Sequence, residues 1–153
     1  MVLHFAYGSN MSHALMRRRC AGAAPIGPAR LDGWRYLITR DGYASIVPRA
    51  GSVVHGALWR LTPRDLAALN SYESLDSGLY RRRMLSVRHG DKRVPALAFV
   101  GRSAQPGRPH PGYQENIVIP AARAWGLPEN YLAELALWSP SAWRAATPAE
   151  PGR

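Results

Sequence analysis

Lysine is nearly missing from these 153 residues: Lys92 stands alone, and the other basic side chains in a Lys+Arg total of 20 are arginines. Cysteine is as scarce. With only Cys20 present, no internal disulfide forms and a multi-cysteine metal site is excluded, so stability must rest on an apolar core. The five histidines are scattered and none has the His-x-x-x-His spacing, so no metal site is expected. No window approaches the roughly 18 to 20 consecutive apolar residues of a membrane span. The chain reaches Tyr7-Gly8-Ser9-Asn10 without a basic segment followed by an apolar one, so no leader or membrane association is expected and the sequence reads as cytoplasmic. At 46% apolar and 20% charged residues, one compact domain is expected over residues 1–138, with a Pro/Ala-rich tail over 139–153.

The excess of 20 basic over 10 acidic residues gives a formal charge of +10. A basic surface can recruit nucleic acid or anionic substrates. Arginine replacing lysine throughout is equally what a background codon bias leaves behind. No aromatic-basic interleaving, phosphate loop or dinucleotide fingerprint accompanies the charge, so a nucleic-acid partner is not expected. The triplets Arg17-Arg18-Arg19 and Arg81-Arg82-Arg83 read as solvated faces.

The apolar run Val2 to Tyr7 stops at Gly8-Ser9-Asn10, and a helical stretch follows from Ser12 to Arg19: strand, tight loop, helix. Extended segments are expected at Pro25–Leu31, Trp34–Thr39, Ala44–Pro48 and Val53–Leu61, arranged as hairpins around Asp32-Gly33 and Asp41-Gly42. Thr62-Pro63-Arg64-Asp65 supplies an N-cap, a first-turn proline and a first-turn acid for a helix through Tyr72. A further hairpin, Tyr80–Val87 with Val94–Val100, turns at His89-Gly90-Asp91. The Gly/Pro-rich connection from Gly101 to Gly112 is of the kind that covers sites. Helices are expected at Tyr113–Trp125 and Glu129–Trp138, parted by Gly126-Leu127-Pro128.

A lone buried acid is the simplest catalytic device in a chain without metal or cysteine chemistry. Asp32, Asp41, Asp76 and Asp91 sit in turn sequences, Asp65 caps a helix, Glu115 and Glu129 occupy first helical turns, Glu134 is on a helix face and Glu150 is in the tail. Glu73 is left over. It follows Leu66 by seven residues and Leu69 by four, which places it on the buried stripe at a helix C-terminus. Burial and the macrodipole both raise its pKa, as an acid/base needs. The alternative is a half-exposed acid at a frayed end, or one paired with Arg81 to Arg83. Tyr7-Gly8-Ser9-Asn10 reads either as an anion or oxyanion cradle or as an ordinary capped turn. Tyr80 and Tyr113 read either as hydroxyls that fix a polar substrate or as half-buried packing residues. There is no Gly-x-Ser-x-Gly elbow, and nothing marks Cys20 as a nucleophile.

Phe5-Ala6-Tyr7-Gly8-Ser9-Asn10-Met11, Glu73 after a Leu-rich helix, Tyr80 seven residues later, Pro111-Gly112-Tyr113 and Gly126-Leu127-Pro128-Glu129-Asn130-Tyr131 together resemble the gamma-glutamylcyclotransferase family over Leu3 to Leu137. The resemblance implies an α+β fold, a small mixed β-barrel-like sheet flanked by helices, with the substrate at the mouth of the sheet. It implies Glu73 as acid/base, Tyr7, Gly8, Ser9 and Asn10 lining the gamma-glutamyl pocket, Tyr80 and Tyr113 touching substrate, and no cofactor. The reaction implied is attack of a gamma-glutamyl α-amine on its own side-chain carbonyl, giving 5-oxoproline and a released amino acid or amine. A gamma-glutamylamine cyclotransferase would show the same core motif. A basic binding module on this scaffold is the rival of another class. The partner implied is a small gamma-glutamyl compound, and a homodimer is left open. Two departures from the family pattern stand out: Ser74, where glycine is frequent, and the Pro/Gly/Arg-rich stretch Arg102 to Pro111.

Overall fold

The computed structural model describes residues 1–73 and 78–140. The four residues that follow Glu73, Ser74 among them, lie outside that set, and so does the expected tail apart from Ser139 and Pro140.

β1 (Val2–Ala6) is buried on both faces at its C-terminal end. This explains its unbroken apolar run, because a strand covered on both faces has no solvated face to alternate toward. It lies between β3 (Ala44–Leu61), antiparallel from Val2↔Leu61 to Ala6↔Ala57, and β5 (Lys92–Gly101), parallel with His4 opposite Leu97. With β2 (Ala24–Ile38) and β4 (Tyr80–His89), the strands close in the order β1-β3-β2-β4-β5. The fold is α+β: a closed, five-stranded mixed sheet flanked by four α-helices among the described residues.

The four central segments expected as separate strands fuse in pairs. Asp32-Gly33 does not reverse the chain; β2 runs through it with a register shift between Asp32 and Trp34. Such a bulge bends a long strand around a barrel while its ladder continues on both sides. Asp41-Gly42 is the true hairpin turn, with the Thr39 N–H donating to the Tyr43 carbonyl at 3.0 Å. The β4–β5 hairpin turns where expected, pairing His89 with Lys92 and Tyr80 with Gly101.

Helix α1 (His13–Arg19) is capped by Ser12, whose Oγ accepts the Leu15 N–H at 3.2 Å. Helix α2 (Pro63–Tyr72) begins in a capping box: the Asp65 N–H donates to Thr62 Oγ1 at 3.1 Å and the Thr62 N–H to Asp65 Oδ2 at 3.0 Å. Asp65 is buried, and its Oδ1 accepts the Gly22 N–H at 3.0 Å, which ties α2 to the chain leaving α1. Burial alone would raise the Asp65 carboxyl, but the hydrogen bonds from Thr62 and Gly22, with Arg64 nearby, outweigh it and hold the pKa below the ordinary value. Asp65→Ala should therefore cost about 2 kcal/mol. Because the folded pKa is depressed, that stabilisation is complete above the unfolded aspartate value of about 3.9 and is lost as pH falls through the folded value. Thermal melts of both proteins across acid pH check this: the gap in Tm should narrow toward the lowest pH, and a gap that widened there would contradict it.

The C-terminal helices are shorter than expected. Residues Tyr113–Val118 form a π-helical turn before α3 (Ile119–Ala124), and α4 (Glu129–Ala136) ends before Trp138. Gln114 underlies the first departure: buried, it accepts the Tyr36 hydroxyl at 2.8 Å and donates to the Leu135 carbonyl at 2.9 Å. These bonds tie the wide turn to β2 and α4 at once. Among the described residues no helix is long and apolar enough to cross a membrane.

Candidate active site

Beyond Ala6 the chain leaves the barrel and winds into a single 3-10 turn, Ser9–Met11, closed by the Met11 N–H on the Gly8 carbonyl at 3.1 Å. Two indoles fix this turn from outside. Trp59 Nε1 donates to the Asn10 carbonyl at 2.9 Å and Trp125 Nε1 to the Met11 carbonyl at 2.7 Å. The loop that reads as a cradle is thus a braced element, and it carries the Asn10 side chain inward, where it is buried.

Beside it opens a cavity of about 430 Å³, and Tyr7, Gly8, Ser9, Asn10, Glu73, Tyr80 and Tyr113 all line it. Residues separated by more than 100 positions in sequence meet here because β1, the end of α2, the start of β4 and the turn after residue 112 converge at one mouth of the barrel. The connection from Gly101 to Gly112 does not cover the cavity. It braces the hairpin tip instead, through the Arg40 N–H on the Gln105 carbonyl at 2.9 Å and the Gly107 N–H on the Ile38 carbonyl at 2.8 Å. That tip delivers Tyr43 and Ala44 to the cavity wall.

Glu73 caps α2, its N–H still bonded to the Leu69 carbonyl at 2.9 Å. Its Oε1 accepts one hydrogen of Asn10 Nδ2 at 3.0 Å. Arg81, Arg82 and Arg83 do not pair with it; all three are exposed along β4, and among the described residues the sole ion pair is Arg30 with Asp32 at 3.5 Å. Burial pushes the Glu73 carboxyl above its ordinary pKa, while the Asn10 N–H and the Arg19 guanidinium pull it partly back.

Arg19 corrects the reading of the first arginine triplet. Arg17 and Arg18 are exposed, but Arg19 is half-buried and turns into the cavity wall. Its Nη1 donates to Asn10 Oδ1 at 2.7 Å and Ser9 Oγ at 2.9 Å, and its Nη2 to the Tyr72 hydroxyl, with Cζ 3.8 Å from the centre of the Tyr72 ring. The spacing held a signal: Arg19 falls three residues after Met16 and four after Leu15, on the apolar side of α1.

Three of the five tyrosines that line the cavity are held protonated by burial, Tyr7 and Tyr80 far above the ordinary phenol and Tyr113 pushed up to about 12. Their bonding differs. Tyr7 donates to the Phe99 carbonyl and Tyr80 to the Ala44 carbonyl at 3.2 Å. Tyr113 accepts the Ala44 N–H at 3.2 Å, and its own proton has no acceptor among the described residues. Of these three, Tyr113 is the phenol with a hydrogen bond left to give. Gly8 makes room for it, since a Cβ there would stand 3.0 Å from the Tyr113 hydroxyl and 3.0 Å from Ala44 Cβ.

A small barrel with a braced glycine loop, one half-buried carboxyl group and a set of phenols around a cavity at its mouth has the make-up of a small-molecule site. The family model described as "Gamma-glutamyl cyclotransferase, AIG2-like" matches residues 4–117, and the chain belongs to that family. It is 25% identical over 154 residues to a gamma-glutamylcyclotransferase of Mus musculus, covering 93% of this chain and 81% of that one. The corresponding figures for a Homo sapiens gamma-glutamylcyclotransferase are 26% over 150 residues, 91% and 79%. A solved structure titled gamma-glutamyl cyclotransferase superposes with a TM-score of 0.84 at 24% identity, over 99% of this chain and 92% of that one. That likeness is one of fold.

Proposed function

We propose that the protein cyclises a gamma-glutamyl compound to 5-oxoproline, with Glu73 as its acid/base. The observation that carries this reading is the Glu73 carboxyl group, half-buried in the wall of a cavity of about 430 Å³ and bonded through one oxygen to Asn10. The relatives' names, gamma-glutamylcyclotransferase, support the same class.

The glutamyl chain bends so that its α-amine nitrogen meets its own side-chain carbonyl carbon, a proximity effect that the cavity walls supply. Glu73 takes the proton released as the new C–N bond forms. It then returns a proton to the nitrogen of the departing amine as the old amide C–N bond breaks, so a single carboxyl group serves both transfers. The free Tyr113 O–H and the backbone of the Gly8 loop are placed to meet the substrate carboxylate or the developing oxyanion. Arg19 binds Ser9, Asn10 and Tyr72 and thereby stiffens the wall.

The test is 5-oxoproline release from a panel of gamma-glutamyl amino acids, dipeptides and amines, which also ranks the leaving groups and separates the gamma-glutamylamine alternative. Silence across the panel would remove the reading. The first proton transfer needs the carboxylate form, so kcat/KM should rise with pH through a midpoint above the ordinary glutamate value, following the raised Glu73 pKa. A pH–rate profile with its acid midpoint at or below that value would remove Glu73 from the role.

A further inference from the structure

Behind Asn10 lies a buried side chain that none of the above uses. His4, on β1, is 2% exposed; its Nδ1 is 2.9 Å from the Leu97 carbonyl and its Nε2 is 3.3 Å from Asn10 Nδ2. A carbonyl only accepts, so Nδ1 carries the proton and Nε2 presents a lone pair. Asn10 must then turn its NH2 toward His4. The same orientation is required at the other end, because Arg19 only donates and sits 2.7 Å from Asn10 Oδ1. With one amide hydrogen on His4, the second is left for Glu73 at 3.0 Å. We propose that His4 is a positioning residue, which occupies one hydrogen of the Asn10 amide and so aims the other at the Glu73 carboxylate.

The chain runs from the Leu97 carbonyl through His4 and Asn10 to Glu73, and both hydrogens and the oxygen of the amide have partners. Arg19 alone does not secure this, since it is half-buried, whereas His4, which also lines the cavity, is 2% exposed. Without an acceptor at position 4, one buried Asn10 hydrogen would be orphaned, and the amide would rotate or shift to share its bonds. For catalysis the inference rests on the proposed role of Glu73. For geometry it does not. A purely structural His4 would instead pin β1 to β5 through Leu97 and leave Glu73 unaffected.

The experiment reads Glu73 directly. The sequence holds five glutamates, at 73, 115, 129, 134 and 150, so side-chain carboxyl 13C signals can be resolved, and the Glu73→Gln spectrum assigns the one of interest. In His4→Phe the Glu73 midpoint should move up by about one unit, and kcat should fall about tenfold with KM within about twofold. His4→Gln, whose side-chain oxygen can accept where Nε2 did, should restore most of both. In an Asn10→Ala background, His4→Phe should change nothing further. His4→Leu replaces His4→Phe where the latter does not fold. An unmoved Glu73 titration, or an equal shift with Asn10 absent, overturns the proposal. If the wild type releases no 5-oxoproline, the activity reading falls, and the titration alone still decides the role of His4.

Discussion

Glu73→Gln is expected to lower 5-oxoproline release by about 10²- to 10⁴-fold while the protein folds and still binds substrate. The size follows from what the amide cannot do. It keeps the shape of the carboxyl group and an oxygen for the Asn10 N–H, so the wall of the cavity is preserved. It cannot take a proton from the attacking amine, and among the described residues no second carboxylate lines the cavity to replace it. His4 is a poor substitute as a base, because burial drives its pKa down to about 4 and its free nitrogen is spent on Asn10. Tyr7 and Tyr80 are poorer still, held protonated by burial. Steady-state rates on the best substrate of the panel, with a thermal melt to verify folding, decide the matter. A variant within about tenfold of wild type would be too active for the loss of the acid/base and would end the assignment.

The place of Glu73 at the end of α2, in the cavity wall, was legible in the sequence because several signals converge on it: a capped start at Thr62, a leucine stripe, and an acid that no turn sequence accounts for. The chain fold followed for the same reason wherever local signals agreed, as in β1, α1, α2 and the β4–β5 hairpin. It failed where long-range geometry overrode a local signal. Asp32-Gly33 carries the chemistry of a hairpin turn, yet the barrel uses it as a bulge in β2, and closure of the sheet is a property no short window contains. Asn10 and His4 show the same limit at the site. Their residue types were visible, but their pairing depends on β1 lying beside β5 and on the 3-10 turn folding back, distances that arise only once the barrel closes. Arg19 was legible in part, through its register with Leu15 and Met16. A run of three arginines nonetheless reads as a uniform solvated face until the helix is oriented.

Gly56→Ala should produce the largest loss of stability of any single methyl group considered. Gly56 lies in β3 where β1 peels away toward the site. A Cβ placed on it would stand 2.3 Å from the Ala6 carbonyl oxygen and 2.9 Å from Cε1 of Phe5. The first contact is with backbone, which cannot rotate out of the way, and the second is with a ring that is 0% exposed. Relief would require β1 to move away from β3 at its last ladder pair, Ala6 with Ala57. Overpacking of this kind costs about 3 kcal/mol, at the upper end for a single small-to-large change, and for a chain of this length corresponds to a fall in Tm of roughly 10 °C. The strain falls one residue before Tyr7 and the braced loop. The surviving folded fraction should therefore also lose turnover, as Asn10 shifts relative to Glu73. Ser52→Ala, at a half-buried position on the same strand, is the control and should stay within about 0.5 kcal/mol of wild type. Thermal melts of the three proteins test the argument. A Gly56→Ala protein that melted with the control would mean that β1 and β3 separate there at little cost, and that the rigidity assigned to the loop comes from Trp59 and Trp125 alone.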